Sequence, residues 1–257
     1  MRQYYFISGL PRSGTTLLST ILNQNPKFSA SISGPLARFA RAVVDQSNAQ
    51  GGYKTECPPE KTKKIITGIF NNYYDDPNKE ICWNTNRGWM LLLPMLKDLF
   101  PQTKVIACVR DVPWILDSFE TLVRKNPYST SSLFPADANI NVYTRCRYLM
   151  NESSPLGFAY NALKHGITSA EKPMVMLVDY SQLCMFPQST MQAIYKFVGQ
   201  PYFEHDFNNV EASYDEFDSE VNLPGLHTTR KQVEWIPRET ILPPDIIQAY
   251  SGLEVWK

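Results

Sequence analysis

Along this chain, apolar runs of strand length alternate with stretches in which apolar residues return every three or four positions. Tyr4-Tyr5-Phe6-Ile7 is the first run and leads into a Gly/Pro turn, beyond which Leu17, Leu18, Ile21 and Leu22 recur at helical spacing. Glu80-Ile81-Cys82-Trp83 reads as a second, weaker strand, and a helix is predicted over Gly88 to Leu99. Val105-Ile106-Ala107-Cys108-Val109 has no polar interruption, the pattern of a strand covered on both faces. Pro113, suited to a first helical turn, opens a helix carrying Ile115, Leu116, Phe119, Leu122 and Val123 on one face. Met174 to Val178 is a further buried-strand run, and Pro187 to Val198 follows it as a helix. Alternation of this kind predicts an α/β fold: a mostly parallel sheet flanked by helices on both faces.

Two stretches lack either period. Asn126 to Pro135 reads as a surface loop or lid, and Val198 to Thr229 is irregular but too aromatic for disorder. There is no internal repeat. At 257 residues and 43% hydrophobic, the chain can bury a sizeable core, and one domain over 1–257 is expected. Its 25 Lys and Arg balance 25 Asp and Glu, which argues against a protein that coats nucleic acid or an anionic membrane. A local anion site stays open. Five scattered cysteines (Cys57, Cys82, Cys108, Cys146, Cys184) without a C-x-x-C pair read as reduced thiols of a cytosolic protein. Met1-Arg2-Gln3-Tyr4 runs straight into a strand-like segment, so no signal peptide is expected. The most apolar stretch, Trp89 to Leu96, is too short to span a bilayer and contains Pro94. A soluble, cytoplasmic protein is the expectation.

The chemistry concentrates in Ile7-Ser8-Gly9-Leu10-Pro11-Arg12-Ser13-Gly14-Thr15-Thr16, between the first strand and the first helix. Gly9 and Gly14 have the G-x-x-x-x-G spacing that lets backbone N–H groups converge on an anion at a helix N-terminus. An ordinary nucleotide P-loop places Lys after the second glycine; here Thr15 stands instead. The loop therefore lacks the cation that reaches the β/γ-phosphates of a triphosphate. Arg12 supplies a fork of donors within the loop, matched to a tetrahedral oxyanion. At the end of a buried strand, Cys108-Val109-Arg110-Asp111 is followed by Ser118, eight residues after Arg110. Strand carboxyl ends gather at the ligand edge of an α/β sheet, so Arg110 and Ser118 are expected beside the Gly9–Thr16 loop, where they could hold a second phosphate.

Gly9-Leu10-Pro11-Arg12-Ser13-Gly14-Thr15-Thr16-Leu17 resembles the 5′-phosphosulfate loop of sulfotransferases, particularly the tyrosylprotein and related bacterial branch. Val109-Arg110-Asp111 through Ser118 is similar to that family's 3′-phosphate motif, with Phe100-Pro101, Val178-Asp179-Tyr180 and Phe197-Val198-Gly199 matching further along. The resemblance implies a P-loop-like fold and transfer of the sulfuryl group of 3′-phosphoadenosine-5′-phosphosulfate (PAPS), with no metal. It implies that Arg12, Ser13, Gly14, Thr15 and Thr16 hold the 5′-phosphosulfate and that Arg110 and Ser118 hold the 3′-phosphate. Tyr180 would lie near the adenine, and Arg230 and Lys231 would match a late basic loop on the 3′-phosphate side.

The chain departs from the family pattern twice. Where the family commonly has a lysine that steadies the leaving oxygen, this chain reads Trp83-Asn84-Thr85-Asn86-Arg87; Arg87 is the candidate replacement and Asn84 holds the aligned position. The glutamate pair of the tyrosylprotein branch is absent from Ser29-Ala30-Ser31-Ile32-Ser33-Gly34, and no histidine occurs between Asn84 and Leu99. His165, on a helix predicted over Pro155 to Gly166, is carried as a candidate catalytic residue, with Glu56 as an outsider. The acceptor is expected to be a small metabolite offering O or N. Seven acids between Phe197 and Thr229 (Glu204, Asp206, Glu211, Asp215, Glu216, Asp218, Glu220) read as a solvated surface or as a wall that attracts a cationic natural product. A small-molecule kinase and a non-catalytic nucleotide-binding protein are the rival readings.

Overall fold

The computed structural model describes residues 2–257. Five strands, β1 (Gln3–Gly9), β2 (Phe28–Ala30), β3 (Ile81–Thr85), β4 (Val105–Val109) and β5 (Val175–Asp179), form a sheet of order β2-β3-β1-β4-β5. Every neighbouring pair is parallel; Ile7 lies beside Thr85 on one side of β1, and Gly9 beside Cys108 on the other. The helices are α1 (Thr15–Leu22), α2 (Leu36–Ser47), α3 (Tyr53–Glu56), α4 (Pro59–Tyr73), α5 (Leu93–Leu99) and α6 (Val112–Lys125) in the first half. The second half adds α7 (Val142–Leu149), α8 (Pro155–Thr168), α9 (Tyr180–Met185), α10 (Pro187–Val198), α11 (Asp215–Glu220) and α12 (Pro244–Tyr250).

The alternation of side chains along each strand sorts the core into two layers. Tyr4 and Phe6, with Cys82, Val105 and Ala107, face helices α2, α4, α5, α6 and α8. Tyr5 and Ile7, with Trp83, Ile106 and Cys108, face α1, α9 and α10. Both layers are apolar, which is why β1 and β4 read as unbroken hydrophobic runs. Cys82, Cys108, Cys146 and Cys184 are buried in this packing, and all five cysteines are free. Among the described residues, no helix is long and apolar enough to cross a membrane.

One predicted element is divided. The helix expected over Gly88 to Leu99 is a 3₁₀ turn at Arg87–Leu91 followed by α5. Pro94 has no N–H to offer the carbonyl of Met90, and its ring crowds that carbonyl, so one continuous helix cannot pass through it. The division leaves Arg87 at a tight turn directly after β3.

Connections from β1 through β2 and β3 build one side of the sheet, and those through β4 and β5 build the other. The winding therefore reverses beside β1, which opens a crevice at the carboxyl ends of the central strands. The segments leaving those ends begin at Leu10, Asn86, Arg110 and Tyr180. Asn126 to Pro135 is a loop, as predicted, pinned to a late segment: Ser132 N–H and Ser131 Oγ both donate to the Val221 carbonyl, at 3.1 and 2.6 Å.

Candidate functional site

The loop from Gly9 to Gly14 is shaped by close packing on β4. A Cβ on Gly9 would stand 2.0 Å from the Cys108 carbonyl oxygen, and Gly9 has φ +106°. Only glycine accepts both conditions. Leu10 N–H and Ser13 Oγ donate to that same carbonyl, at 2.9 and 3.0 Å. Ser13 also donates to Leu10 O at 2.5 Å and is fully buried, so its hydroxyl locks the loop and is not offered to a ligand. Gly14, at φ +93°, is the N-cap of α1 and leaves its first-turn N–H groups without a side-chain cap. Those donors and Thr15 and Thr16 open on a cleft of about 1790 Å³.

Arg12 is a non-glycine residue at φ +57°, a left-handed conformation that costs about 1–3 kcal/mol. Its guanidinium is held from two sides: Nε donates to Ser118 Oγ at 3.0 Å, and Nη1 donates to the Leu226 carbonyl. Arg110 leaves the end of β4, donates Nη1 to the Arg12 carbonyl at 3.1 Å and lies 4.4 Å from the centre of the Tyr180 ring. Its Nε is buried without a protein partner. Arg12, Ser118, Arg110 and Tyr180, drawn from β1–α1, α6, β4 and α9, thus form one contiguous cluster.

The electrostatics are those of an anion site. Eight Arg and Lys side chains line the cleft against three Asp and Glu. Desolvation, then the charge of Arg110, push the Arg12 pKa down to about 10. Desolvation lowers that of Arg110 as well, with Tyr180 opposing it. Among the described residues, no carboxylate pairs with Arg12, Arg87 or Arg110. Arg87 is open to the cleft yet walled by protein, and desolvation lowers its pKa too. Its carbonyl accepts from Ser8 Oγ at 3.0 Å, which fixes the turn beside β1.

Other expected residues divide between the cleft and elsewhere. Arg230 lines the cleft; Lys231 is exposed outside it, with its carbonyl accepting from Val210 N–H at 2.8 Å. His165 is exposed near the end of α8, and Glu56 is exposed in α3; neither lines the cleft. The side chain of Asn84 is spent on the core, donating to Tyr74 Oη at 2.8 Å and accepting from Trp89 Nε1 at 3.1 Å. The acid-rich stretch is not a wall of the cleft. Glu204, Asp206, Glu211, Asp215 and Glu216 are exposed away from it, and Glu220 alone of the seven lines it.

Sequence reasoning missed two members. Arg238 lines the cleft, ion-pairs with the buried Asp117 of α6 and lies 5.4 Å from the centre of the Trp114 ring. His227 lines it as well, with Nδ1 2.6 Å from Asp218 Oδ1. Asp218 is a buried acid inside an otherwise solvated acidic run, and the sequence distinguishes it from its neighbours only by its place nine residues before a histidine.

Comparison with known proteins gives a consistent result. A profile described as "Sulfotransferase family" matches residues 5–204. Protein-tyrosine sulfotransferase A of Caenorhabditis elegans is 23% identical over 267 residues, covering 95% of this chain and 64% of that protein. The chain thus spans a little less than two thirds of that relative's length. A sulfotransferase from Alicyclobacillus acidocaldarius superimposes with a TM-score of 0.54 at 14% identity, covering 86% of this chain and 90% of that one. A mouse sulfotransferase complexed with PAP gives 0.51 at 14% identity, over 79% of this chain and 61% of that one. At such identities the structural likeness is one of fold.

Proposed function

This chain belongs to the sulfotransferase family, and from that premise we propose that it transfers the sulfuryl group of PAPS to an oxygen or nitrogen of a small acceptor. The observation that carries the reading is the pairing of an uncapped α1 N-terminus with Arg12 and Arg110, which lack carboxylate partners, at the carboxyl edge of the sheet. The buried, unpartnered Nε of Arg110 fits an anionic group, because a buried donor left unmatched costs about 1–3 kcal/mol. That the mouse sulfotransferase of the same fold is complexed with PAP supports the assignment.

When bound, PAPS supplies an activated sulfuryl group and a bisphosphate leaving group. The N–H groups of Gly14, Thr15 and Thr16, with Arg12, would hold the 5′-phosphosulfate and face the charge that grows on its bridging oxygen. Such preorganised donors in a water-poor cleft are commonly the largest contribution to catalysis. Arg110, fixed by the Arg12 carbonyl and the Tyr180 ring, would hold the 3′-phosphate, with Ser118, Arg230 and Arg238 beside it. Tyr180 would present its ring to the adenine. Arg87, arriving from β3, would take the place of the family's lysine. The acceptor would enter the arm of the cleft lined by α2 and α8, where Arg38, with Arg41 paired to Asp45 at 2.9 Å, leaves a net positive charge that favours a neutral or anionic molecule. We assign the reaction to the cytoplasm, with neither nucleic acid nor a membrane as partner.

Calorimetry with adenosine 3′,5′-bisphosphate tests the reading. The intact protein is expected to bind, and Arg110→Ala to bind about 10–100-fold more weakly, as follows from about 1.5–3 kcal/mol for a hydrogen bond to a charged group. Absence of binding to the intact protein refutes the proposal.

A further inference from the structure

The family's usual bases have no counterpart in this chain at their expected places, and the geometry points to another: His227, oriented by Asp218, as the group that removes the acceptor's proton. The inference rests on the proposed function and adds a residue to it. Nδ1 of His227 lies 2.6 Å from Asp218 Oδ1, while the backbone N–H of His227 donates to Oδ2 at 3.1 Å. Both carboxylate oxygens are thereby committed to one residue, and Asp218 is only 1% exposed. A carboxylate in that position requires Nδ1 to carry the proton, so the neutral ring keeps its lone pair on Nε2. The hydrogen bonds of His227 among the described residues run through its backbone N–H and Nδ1, leaving Nε2 unengaged, and His227 lines the cleft.

The position relative to the anion cluster is fixed by covalent neighbours. Leu226, directly before His227, accepts from Arg12 Nη1. The same segment is braced against the 126–135 loop, where Ser131 and Ser132 donate to Val221 O and Asn222 Nδ2 donates to Thr130 O at 3.1 Å. Phe217 meets the imidazole edge-on at 5.2 Å and limits its rotation. The charged groups facing the ring are Asp218, Arg12 and Arg87. Desolvation, followed by the two arginines, holds its pKa below the ordinary histidine value against the pull of Asp218. That direction favours the neutral imidazole, the form a base requires. His165 is exposed outside the cleft, and His205 is packed among Tyr195, Tyr202, Phe203 and Phe207, so neither competes for the role.

In the step assigned to it, Nε2 takes the proton of the acceptor O–H or N–H as that oxygen or nitrogen forms its bond to sulfur. The bond from sulfur to the 5′-phosphate oxygen breaks, and adenosine 3′,5′-bisphosphate leaves with the electron pair. The imidazolium then gives its proton to water. Asp218 touches none of the reacting atoms; it is a positioning residue that selects the tautomer.

Long-range ¹H–¹⁵N spectra of histidine-labelled protein test the arrangement without any acceptor. At pH 7, His227 should show a protonated Nδ1 and a free Nε2 and titrate below an exposed histidine. Saturating adenosine 3′,5′-bisphosphate should move that titration upward by offsetting Arg12 and Arg87. Asp218→Asn should move it downward and shift the acid limb of the kcat profile with it, a change that a merely structural aspartate would not produce. With ³⁵S-labelled PAPS and a panel of alcohols and amines, His227→Asn should lose about 10²–10⁴-fold in kcat, with bisphosphate affinity and Tm close to those of the parent. A protonated Nε2 at pH 7, no response of His227 to bound bisphosphate, or kcat of His227→Asn within about threefold of the parent overturns the inference. Failure of the bisphosphate to bind at all instead overturns the donor assignment, while the tautomer still reports on the dyad.

Discussion

Replacing Gly9 by alanine isolates the contact on which the anion loop is built. The new Cβ would lie 2.0 Å from the Cys108 carbonyl oxygen, 2.5 Å from its nitrogen and 2.8 Å from its carbon. Since real Cβ contacts stay beyond about 3.0 Å, β1 and β4 must part by about 1 Å at their carboxyl ends. That movement breaks the bonds from Leu10 N–H and Ser13 Oγ to Cys108 O, worth roughly 1 kcal/mol each. Backbone strain at φ +106° adds about 1–3 kcal/mol for any residue with a side chain. The expected loss is about 3–5 kcal/mol in urea unfolding, or roughly 5–15 °C in Tm for a chain of this size. Gly199→Ala is the control: φ is +69° at the end of α10, and nothing lies within 4 Å of its Cβ. It should carry only the left-handed backbone cost of about 1–2 kcal/mol. Because Arg110 reaches the Arg12 carbonyl across the same junction, Gly9→Ala should also weaken bisphosphate binding below its Tm, whereas Gly199→Ala should not. Equal stability losses in the two variants, or unchanged binding in Gly9→Ala, would refute the reasoning.

Other perturbations separate the roles of individual charges. Arg87→Ala should lower kcat about 10²–10³-fold, in line with removal of one transition-state donor, and leave Tm unchanged or higher, because no carboxylate loses a partner; a fallen Tm with intact kcat contradicts it. Anionic and neutral acceptors should turn over faster than cationic ones, with the difference shrinking as salt rises; a preference for amines and guanidines at low salt defeats this. Glu120→Ala, which strands Arg145 after removal of a 2.8 Å buried pair, should cost about 3–5 kcal/mol in denaturant unfolding without altering bisphosphate affinity. Burial pushes the pKa of His205 down to about 4, so the unfolded chain binds a proton there first as pH falls. Stability should therefore decline between about pH 6.5 and 4, and His205→Phe should flatten that part of the pH–Tm curve.

The parts of the fold legible in the sequence are those whose pattern is local. β1, β4 and α10 emerge from apolar runs and helical spacing because both layers of the core press on them directly. β2 has only three residues, pairs with β3 alone and leaves no run to read. Pro94 was visible, yet only the packed structure shows that it divides the predicted helix. The same distinction separates the site residues. Arg12, Arg110 and Ser118 sit at fixed offsets from strand ends and glycine turns, so topology alone brings them together. His227 and Arg238 belong to irregular segments and Asp218 to the six-residue helix α11, and the paths of these segments are set by tertiary hydrogen bonds to Val221, Leu226 and Asp117. No periodicity encodes those bonds. The acid-rich stretch shows the converse: composition grouped seven carboxylates, and folding separates Asp218 from the others by burying it against an imidazole.

Charge pairing elsewhere in the molecule gives the cleft its meaning. The three buried carboxylates each have a cationic or N–H partner: Asp117 with Arg238, Glu120 with Arg145 and Arg124, Asp218 with His227. The chain therefore supplies a counter-charge or an N–H donor to each of these buried carboxylates. For Arg12 and Arg110 it supplies no carboxylate partner among the described residues. Arg12 and Arg110 are desolvated next to one another, Arg12 holds a left-handed backbone, and α1 begins without a cap. Each of these features destabilises the free protein, and under the proposed function one anion lying across the carboxyl ends of β1 and β4 would offset the two desolvated charges and cap α1. Overall neutrality thus hides a local imbalance: eight Arg and Lys side chains face the cleft against three Asp and Glu. On the proposed function, two desolvated guanidiniums left without carboxylate partners at one crevice would hold free energy that an anionic donor releases on binding.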